Sequence, residues 1–214
     1  MAAEGVVKFH EERIPGPPPD VEAIRELCVW RTILYDLGMI GGGGVRYGGL
    51  GYGNASARVR PYDLSKGKRA FLITGTQTGH HHELGPEHFA LVQAYDMASN
   101  SVRSAGPSGA SSESLTHGAV YDQSPLIRWV FHVHAPAIWT HRHALGIPST
   151  RPDAEYGSSA MARDLWRLFG ETELRTLRIF AMSGHQDGIV CFGGSAGEVG
   201  GRLVEYLAMA MLRR

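Results

Sequence analysis

The run WVFHVHAPAIW at residues 129–139 constrains the fold more than any other stretch of the chain. Apolar, β-branched and aromatic residues fill most of IRWVFHVHA, which predicts a buried strand. Pro136 follows, and its fixed φ suits the first turn of a helix, so the strand is predicted to lead directly into a helix. A buried strand followed at once by a helix is typical of a sheet that is covered by helices.

Helical and strand patterns alternate along the rest of the 214 residues. This length suits one domain, and we find no internal repeat or domain boundary. We therefore predict an N-terminal arm over 1–20, which ends in IPGPPPD, and a single α/β domain over 21–214. Helices are predicted at 21–37, 112–123, 136–145, 158–169 and 195–214, strands at 55–60, 68–75, 90–97 and 127–135, a loop at 100–111 and a hairpin at 177–193.

The composition excludes several classes of partner and compartment. The formal net charge is zero and 20% of the residues are charged, whereas a nucleic-acid binder would show clustered Lys and Arg. No segment reaches the ~18 apolar residues of a membrane span. The two cysteines, Cys28 and Cys191, lie in apolar runs, which is typical of reduced core thiols in a cytoplasmic protein.

His132 and His134 are the first candidates for a functional site. Residues two apart on a strand point to the same face, about 7 Å apart, so both imidazoles can bind one metal ion. The same spacing occurs at His80/His82 in a loop and at His141/His143 on a predicted helix, where two such side chains diverge. The alternative is a pair of core histidines that hydrogen-bond to the backbone.

A catalytic metal needs a third protein ligand, and the predicted hairpin offers two candidates. His185 lies at its turn between two glycines, and Asp187 follows two residues later. Either side chain can complete the site, and an exposed turn histidine is the alternative for His185. Glu113 begins a predicted helix and is either an ordinary first-turn acid or a general acid/base that faces the metal.

Three short segments can bind an anion. Gly53-Asn54 precedes a predicted strand, and Thr74–Gly79 follows another; small residues with free N–H groups form anion-binding nests there, or plain turns. Ser111 and Ser112 precede the helix that starts beside Glu113, where N–H groups attract negative charge, although serines at that place are also ordinary caps.

Five motifs occur in order along the chain: GNASAR at 53–58, FLITGTQTG at 71–79, GASSESLTHGAVY at 109–121, FHVHA at 131–135 and SGHQDGIVCFG at 183–193. Taken together, they resemble the class II aldolase/adducin family, which includes fuculose-phosphate aldolase and ribulose-phosphate 4-epimerase. The resemblance runs from about residue 21 to the C-terminus. It implies a three-layer α/β fold in which helices flank a central, mostly antiparallel sheet.

The resemblance also assigns roles to individual residues. It implies that His132, His134 and His185 bind one divalent metal ion per chain, usually Zn²⁺, with Mn²⁺, Fe²⁺ and Co²⁺ as alternatives. It implies that Glu113 is the catalytic acid/base. The residues that it implies for binding the substrate phosphate are Gly53, Asn54, Thr78, Gly79, Ser111 and Ser112.

The activity implied by the resemblance is that of a metal-dependent lyase. It cleaves a C–C bond next to a carbonyl through a metal-stabilised enediolate, on a small anionic substrate such as a sugar phosphate or a hydroxy acid. Alternatives are a decarboxylase, a dehydratase, an epimerase or a non-catalytic scaffold resembling the adducin head. Family members are commonly tetramers with active sites at subunit interfaces, so a homo-oligomer is expected.

Overall fold

One eight-stranded sheet organises the protein. The computed structural model describes residues 6–213, so residues 1–5 of the predicted arm and the last residue of the predicted domain lie outside it. The strands are β1 His10–Ile14, β2 Asn54–Arg58, β3 Phe71–Thr74, β4 Phe89–Asp96, β5 Ser101–Ala105, β6 Trp129–His134, β7 Ile179–Ala181 and β8 Gly188–Gly193. The helices are α1 Val21–Asp36, α2 Ser114–Tyr121, α3 Pro136–Thr140, α4 Ser159–Glu171, α5 Leu174–Leu177 and α6 Ala196–Met211, with short 3-10 turns at Arg46–Gly49 and Pro86–His88.

The strand order is β1-β5-β4-β3-β2-β6-β8-β7. All neighbouring pairs are antiparallel except β1 and β5, which are parallel. The prediction of a mostly antiparallel sheet is therefore confirmed. Because β3 and β6 both run antiparallel to β2, their C-terminal ends and the N-terminal end of β2 meet at one edge of the sheet.

Helices cover both faces, which gives the three layers. The core on one face includes Leu115 of α2 and Leu165 of α4, and the core on the other includes Leu27 of α1 and Leu203 of α6. Alternation along β6 sends Phe131 to the second core. His132 and His134 therefore point to the face covered by α2 and α4.

Local sequence explains where α1 lies and how it starts. The Asp20 side chain accepts a hydrogen bond from the Glu22 N–H and caps the helix, as expected of aspartate at this position. Ile24, Leu27 and Leu34 repeat at helical spacing and are buried. Arg31 lies in the same buried stripe, so a cation occupies a position that the pattern reserves for apolar residues.

Two predictions about secondary structure are wrong. Residues 101–105, predicted to be loop, form β5. The strand was missed because its two buried positions are Val102 and the polar Ser104, so apolar and polar residues do not alternate in the sequence. The helix predicted to reach residue 145 ends at Thr140, so His141 caps it and His143 lies in the turn beyond.

The predicted arm contributes an edge strand. β1 pairs with β5, and most of its side chains are exposed and charged, a pattern that is typical of an edge and carries no apolar signal. The division into an arm and a domain stays a prediction. Among the described residues, no helix has both the length and the apolar character that crossing a membrane requires.

Candidate metal centre

Three histidines meet at the end of β6. His132 and His134 leave the same face of β6, and His185 comes from the turn that joins β7 to β8. One ligand nitrogen from each lies within 4.8 Å of the other two, and His134 Nε2 lies 3.1 Å from His185 Nε2. All three side chains are buried, and within residues 6–213 no other group of His, Cys, Asp and Glu meets this spacing.

The backbone orients two of these rings. The Nδ1 of His132 lies 3.3 Å from the Ile189 carbonyl, which leaves Nε2 for another partner; that buried Nε2 has no hydrogen bond to any described residue. The turn that carries His185 requires Gly188, because a Cβ there would lie 2.8 Å from the imidazole Cδ2 of His185. In a metal-ligating histidine, one ring nitrogen typically hydrogen-bonds to a group such as a backbone carbonyl, and the other nitrogen is available to the metal.

Burial keeps the three imidazoles neutral. It lowers the pKa of His132 to about 4. Burial, followed by the neighbouring imidazoles, also lowers the pKa of His134 and of His185 well below the ordinary value. Neutral imidazole is the form that binds metal, so these shifts favour metal binding at neutral pH.

The stability of the metal-stripped protein should fall when the pH is lowered from about 6.5 to about 4. In this window the unfolded chain takes up protons that folded His132 does not, so acid favours unfolding. His132 alone accounts for a loss on the order of 3 kcal/mol across the window. Denaturant titrations at several pH values measure it. His132→Asn should flatten the profile and the exposed His143→Asn should not; an unchanged profile in His132→Asn would contradict the assignment.

Glu113 lies next to the histidines. It occupies the N-cap position of α2, is 2% exposed, and its Oε1 lies 3.7 Å from His185 Nε2 and 3.9 Å from His132 Nε2. The sequence placed it in the first turn, one residue further into the helix. A buried carboxylate at this distance can exchange a proton with a molecule bound at the histidines.

Asp187, the alternative third ligand, is held by another residue. The Tyr47 hydroxyl donates to Asp187 Oδ2 at 2.6 Å, and Arg46 Nη2 donates to that hydroxyl at 3.0 Å. The Tyr47 ring contacts the His134 ring edge-on, with 4.5 Å between centroids. Burial raises the pKa of Tyr47, so its hydroxyl stays protonated as a donor. The group of side chains that meets metal-ligand spacing thus includes His185 and not Asp187.

The candidate anion segments surround this end of the sheet. Asn54 pairs with His132 across β2 and β6, and Gly53 adopts φ 77° against Ile40. The loop after β3 reaches the serine segment, because Gly75 bridges to Ala110 and the Thr76 N–H donates to the Gly109 carbonyl at 3.0 Å. The structure thus brings together all the predicted segments, which comprise Gly53, Asn54, Thr78, Gly79, Ser111, Ser112 and Glu113.

Other histidines have separate surroundings. His117 is buried, and its Nδ1 lies 2.7 Å from the Ser56 hydroxyl, so it hydrogen-bonds within the core. His82 is exposed and lies 2.8 Å from Asp36.

Three residues beside the cluster were missed by the sequence analysis. Tyr47 and Arg46 follow a glycine run with no periodicity. Tyr156, whose ring centroid lies 4.6 Å from that of His185, also has no local signal in the sequence.

A family model now bears on these observations. The model of the class II aldolase and adducin N-terminal domain matches residues 46–211. The chain belongs to this family. No curated protein matches it in sequence.

Solved structures of class II aldolases share the fold. L-fuculose-1-phosphate aldolase from Thermus thermophilus is 18% identical, with 90% of this chain and 93% of that chain covered at a TM-score of 0.64. Sugar-phosphate aldolase from Thermotoga maritima is 17% identical, with 89% and 93% covered at 0.64. YgbL from Escherichia coli, whose description gives aldolase, epimerase and decarboxylase as alternatives, is 19% identical, with 90% and 89% covered at 0.62.

The donor set fits a divalent cation. Three neutral imidazole nitrogens within 4.8 Å of one another match the ligand type and number of a catalytic zinc site with an open position. The family includes metal-dependent enzymes. This chain has the fold of that family, and it has a buried cluster of three histidines that could bind a metal ion.

Proposed function

We propose that this class II aldolase family member is a metal-dependent lyase that cleaves a C–C bond next to a carbonyl. His132, His134 and His185 hold one divalent ion, Zn²⁺ first among the candidates, and Glu113 is the acid/base. The observation that carries the proposal is the distance of Glu113 Oε1 from two of the three imidazoles, 3.7 and 3.9 Å, inside one buried cluster.

The chemistry divides between the ion and the side chains. A bound divalent cation supplies Lewis-acid polarisation of a substrate carbonyl oxygen. Glu113 would take the proton from the hydroxyl group on the carbon that leaves as an aldehyde and, once the C–C bond has broken, would return that proton to the carbon next to the carbonyl. The Ile189 carbonyl keeps His132 in one orientation. The Tyr47 hydroxyl holds the Asp187 turn in place beside His185.

The substrate is proposed to be a small anionic molecule. The residues proposed to bind it are Gly53 and Asn54 at the start of β2, Thr78 and Gly79 in the loop after β3, and Ser111 and Ser112 just before Glu113. Buried Asn54 Oδ1 has no hydrogen-bond partner among residues 6–213; because this oxygen accepts, it fits a donating group of the substrate such as a hydroxyl. The fuculose-phosphate and sugar-phosphate aldolases among the structural relatives support a phosphate-bearing substrate.

Assembly and location complete the proposal. We propose a homo-oligomer, with a tetramer and interface active sites as in related family members, and a cytoplasmic location, because Cys28 and Cys191 are both free thiols. No nucleic-acid or membrane partner is proposed, since the net charge is zero.

Two measurements test the proposed function. Elemental analysis of the purified protein should find one divalent ion per chain, and washing with a chelator should remove activity that Zn²⁺ restores. A panel of sugar phosphates, hydroxy acids and aromatic acids should then yield an aldehyde and ketone pair from one member. Carbon dioxide, water loss or inversion at carbon would instead identify a decarboxylase, a dehydratase or an epimerase.

The scaffold alternative makes the opposite prediction. A non-catalytic protein would fold and assemble with the same stability whether or not the ion is present, and no member of the panel would react. The buried Glu113 beside three buried histidines argues against it, because burying ionisable groups costs free energy that a scaffold has no reason to retain.

A further inference from the structure

Arg31 is a buried cation whose role the proposed function leaves open. It is 1% exposed and is one of the largest fully buried side chains. Burial lowers the pKa of Arg31 to about 10, so the side chain is charged at neutral pH; only Tyr35 and Cys28 oppose this shift, and no carboxylate among residues 6–213 contributes. Buried arginines are normally paired with an acid, so the missing counter-charge requires an explanation.

Backbone carbonyls are the partners of this guanidinium. Arg31 Nη1 donates to the His82 carbonyl at 2.6 Å, and Nη2 donates to the carbonyls of Gly79 at 2.8 Å and Thr78 at 3.2 Å. Other side chains of α1 bind the same loop: Cys28 Sγ donates to the Leu84 carbonyl at 3.4 Å. Helix α1 thus fixes which way the peptides of the loop face.

The orientation of these carbonyls determines where the N–H groups point. The one cis peptide among the described residues is Arg60-Pro61, so the peptides after Thr78 and Gly79 are trans. In a trans peptide the N–H points opposite to the C=O. The N–H groups of Gly79 and His80 therefore point away from Arg31, and neither donates to a backbone carbonyl of another described residue. Two such adjacent groups form a concave site for an anion.

This loop adjoins the candidate metal centre. It follows β3, and its start is bound to the segment before Ser111 through the Gly75–Ala110 bridge. A glycine is needed at 79, because a Cβ there would lie 2.5 Å from the Gly41 carbonyl. The charge of Arg31 therefore lies on one side of this backbone segment, and the Gly79 and His80 N–H groups point to the other side.

We propose that Arg31 is a positioning residue that turns the Gly79 and His80 N–H groups toward the substrate and makes this loop selective for a doubly charged group such as a phosphate monoester. The inference rests on the proposed function, because it takes the loop as the place where the anion of the substrate binds. The phosphate supplies the negative charge that Arg31 lacks inside the protein.

Calorimetric titration with inorganic phosphate and with acetate tests this role on the full chain, both metal-loaded and metal-stripped. Arg31→Met removes the charge at similar length, and Arg31→Lys keeps the charge but loses the planar fork. Arg25→Met is the matched control, since Arg25 lies on the same helix, is 71% exposed and pairs with the exposed Glu22 at 3.6 Å.

Wild type and Arg25→Met should bind phosphate equally and prefer it to acetate. Arg31→Met should weaken phosphate binding about 10- to 100-fold and reduce the preference over acetate, whereas a merely structural role would weaken both anions alike. Zinc affinity should not change, because the hydrogen bonds of Arg31 go to the carbonyls of Thr78, Gly79 and His82 and not to the three histidines of the candidate metal centre. If Arg31→Met fails to fold, Arg31→Lys is measured in its place, and the ratio of phosphate affinity to acetate affinity again decides.

Three results would overturn the inference. The first is a folded Arg31 variant whose ratio of phosphate to acetate affinity equals that of the wild type. The second is an equal loss of affinity for both anions in such a variant. The third is that the wild-type protein binds no phosphate, whether metal-loaded or metal-stripped. None of them touches the metal site, since zinc stoichiometry and the effect of Glu113 are measured separately. Failure of the inference is therefore distinguishable from failure of the proposed function.

Discussion

Replacing Glu113 with glutamine should lower the turnover number by about 10²- to 10⁴-fold at saturating metal and substrate. Glutamine keeps the shape and hydrogen-bonding capacity of the side chain but cannot take up a proton. Because Glu113 is 2% exposed, water has little access to replace it. The measurement is the initial rate with the substrate that the panel identifies, together with the metal content of the variant.

Glu205→Gln is the matched control, because Glu205 is exposed on α6 and the substitution makes the same chemical change. It should retain full activity. If Glu113→Gln turned over at the wild-type rate with one ion bound, the carboxylate would have no part in proton transfer. If the variant instead lost the ion, Glu113 would belong to the ligand set.

Removing one imidazole should leave most of the metal sites empty at micromolar metal and lower activity in proportion. If a structural-type zinc affinity of about 10 kcal/mol is shared by three ligands, His134→Ala forfeits roughly a third, or about two orders of magnitude in affinity. Stripping the wild-type protein should also destabilise it: at a metal concentration about 1,000 times Kd, binding contributes about 4 kcal/mol. For a protein of this size, that is a fall in Tm of about 8–16 °C.

The sequence itself provides the controls for this experiment. His143→Ala alters an H-x-H of the same spacing and should keep one ion per chain. Asp187→Asn should also keep the ion, because that carboxylate accepts the Tyr47 hydroxyl at 2.6 Å. Loss of the ion in Asp187→Asn but not in His185→Ala would reverse the choice of third ligand.

The sequence predicted the elements that repeat regularly and failed where the signal was not local. The apolar run of β6 and the buried stripe of α1 placed both elements correctly. β5 was missed because Ser104 occupies an inward position, and β1 because an edge strand can be charged throughout. Neither strand buries enough apolar surface to leave a periodic pattern.

The candidate site was partly predictable for a similar reason. His132 and His134 are close in sequence, so strand geometry alone predicted that they share a face. His185 and Asp187 were both candidates from the predicted hairpin, and the family resemblance pointed to His185, since nothing local relates this turn to β6. Tyr47 had no signal, whereas Arg31 had one that was not used: a charged residue four positions after Leu27 and three before Leu34, inside a buried stripe.

The pairing of β6 with its neighbours makes the reactive centre sensitive to chain length. His132 is opposite Asn54 on one side and Val190 on the other, and His134 is opposite Gly188. Adding or deleting one residue within β6 would rotate both imidazoles to the layer of α1 and α6, even if the sheet still formed. Changes in length should therefore be tolerated in the connecting segments but not in β6, and libraries built on this scaffold should leave β6 unbroken.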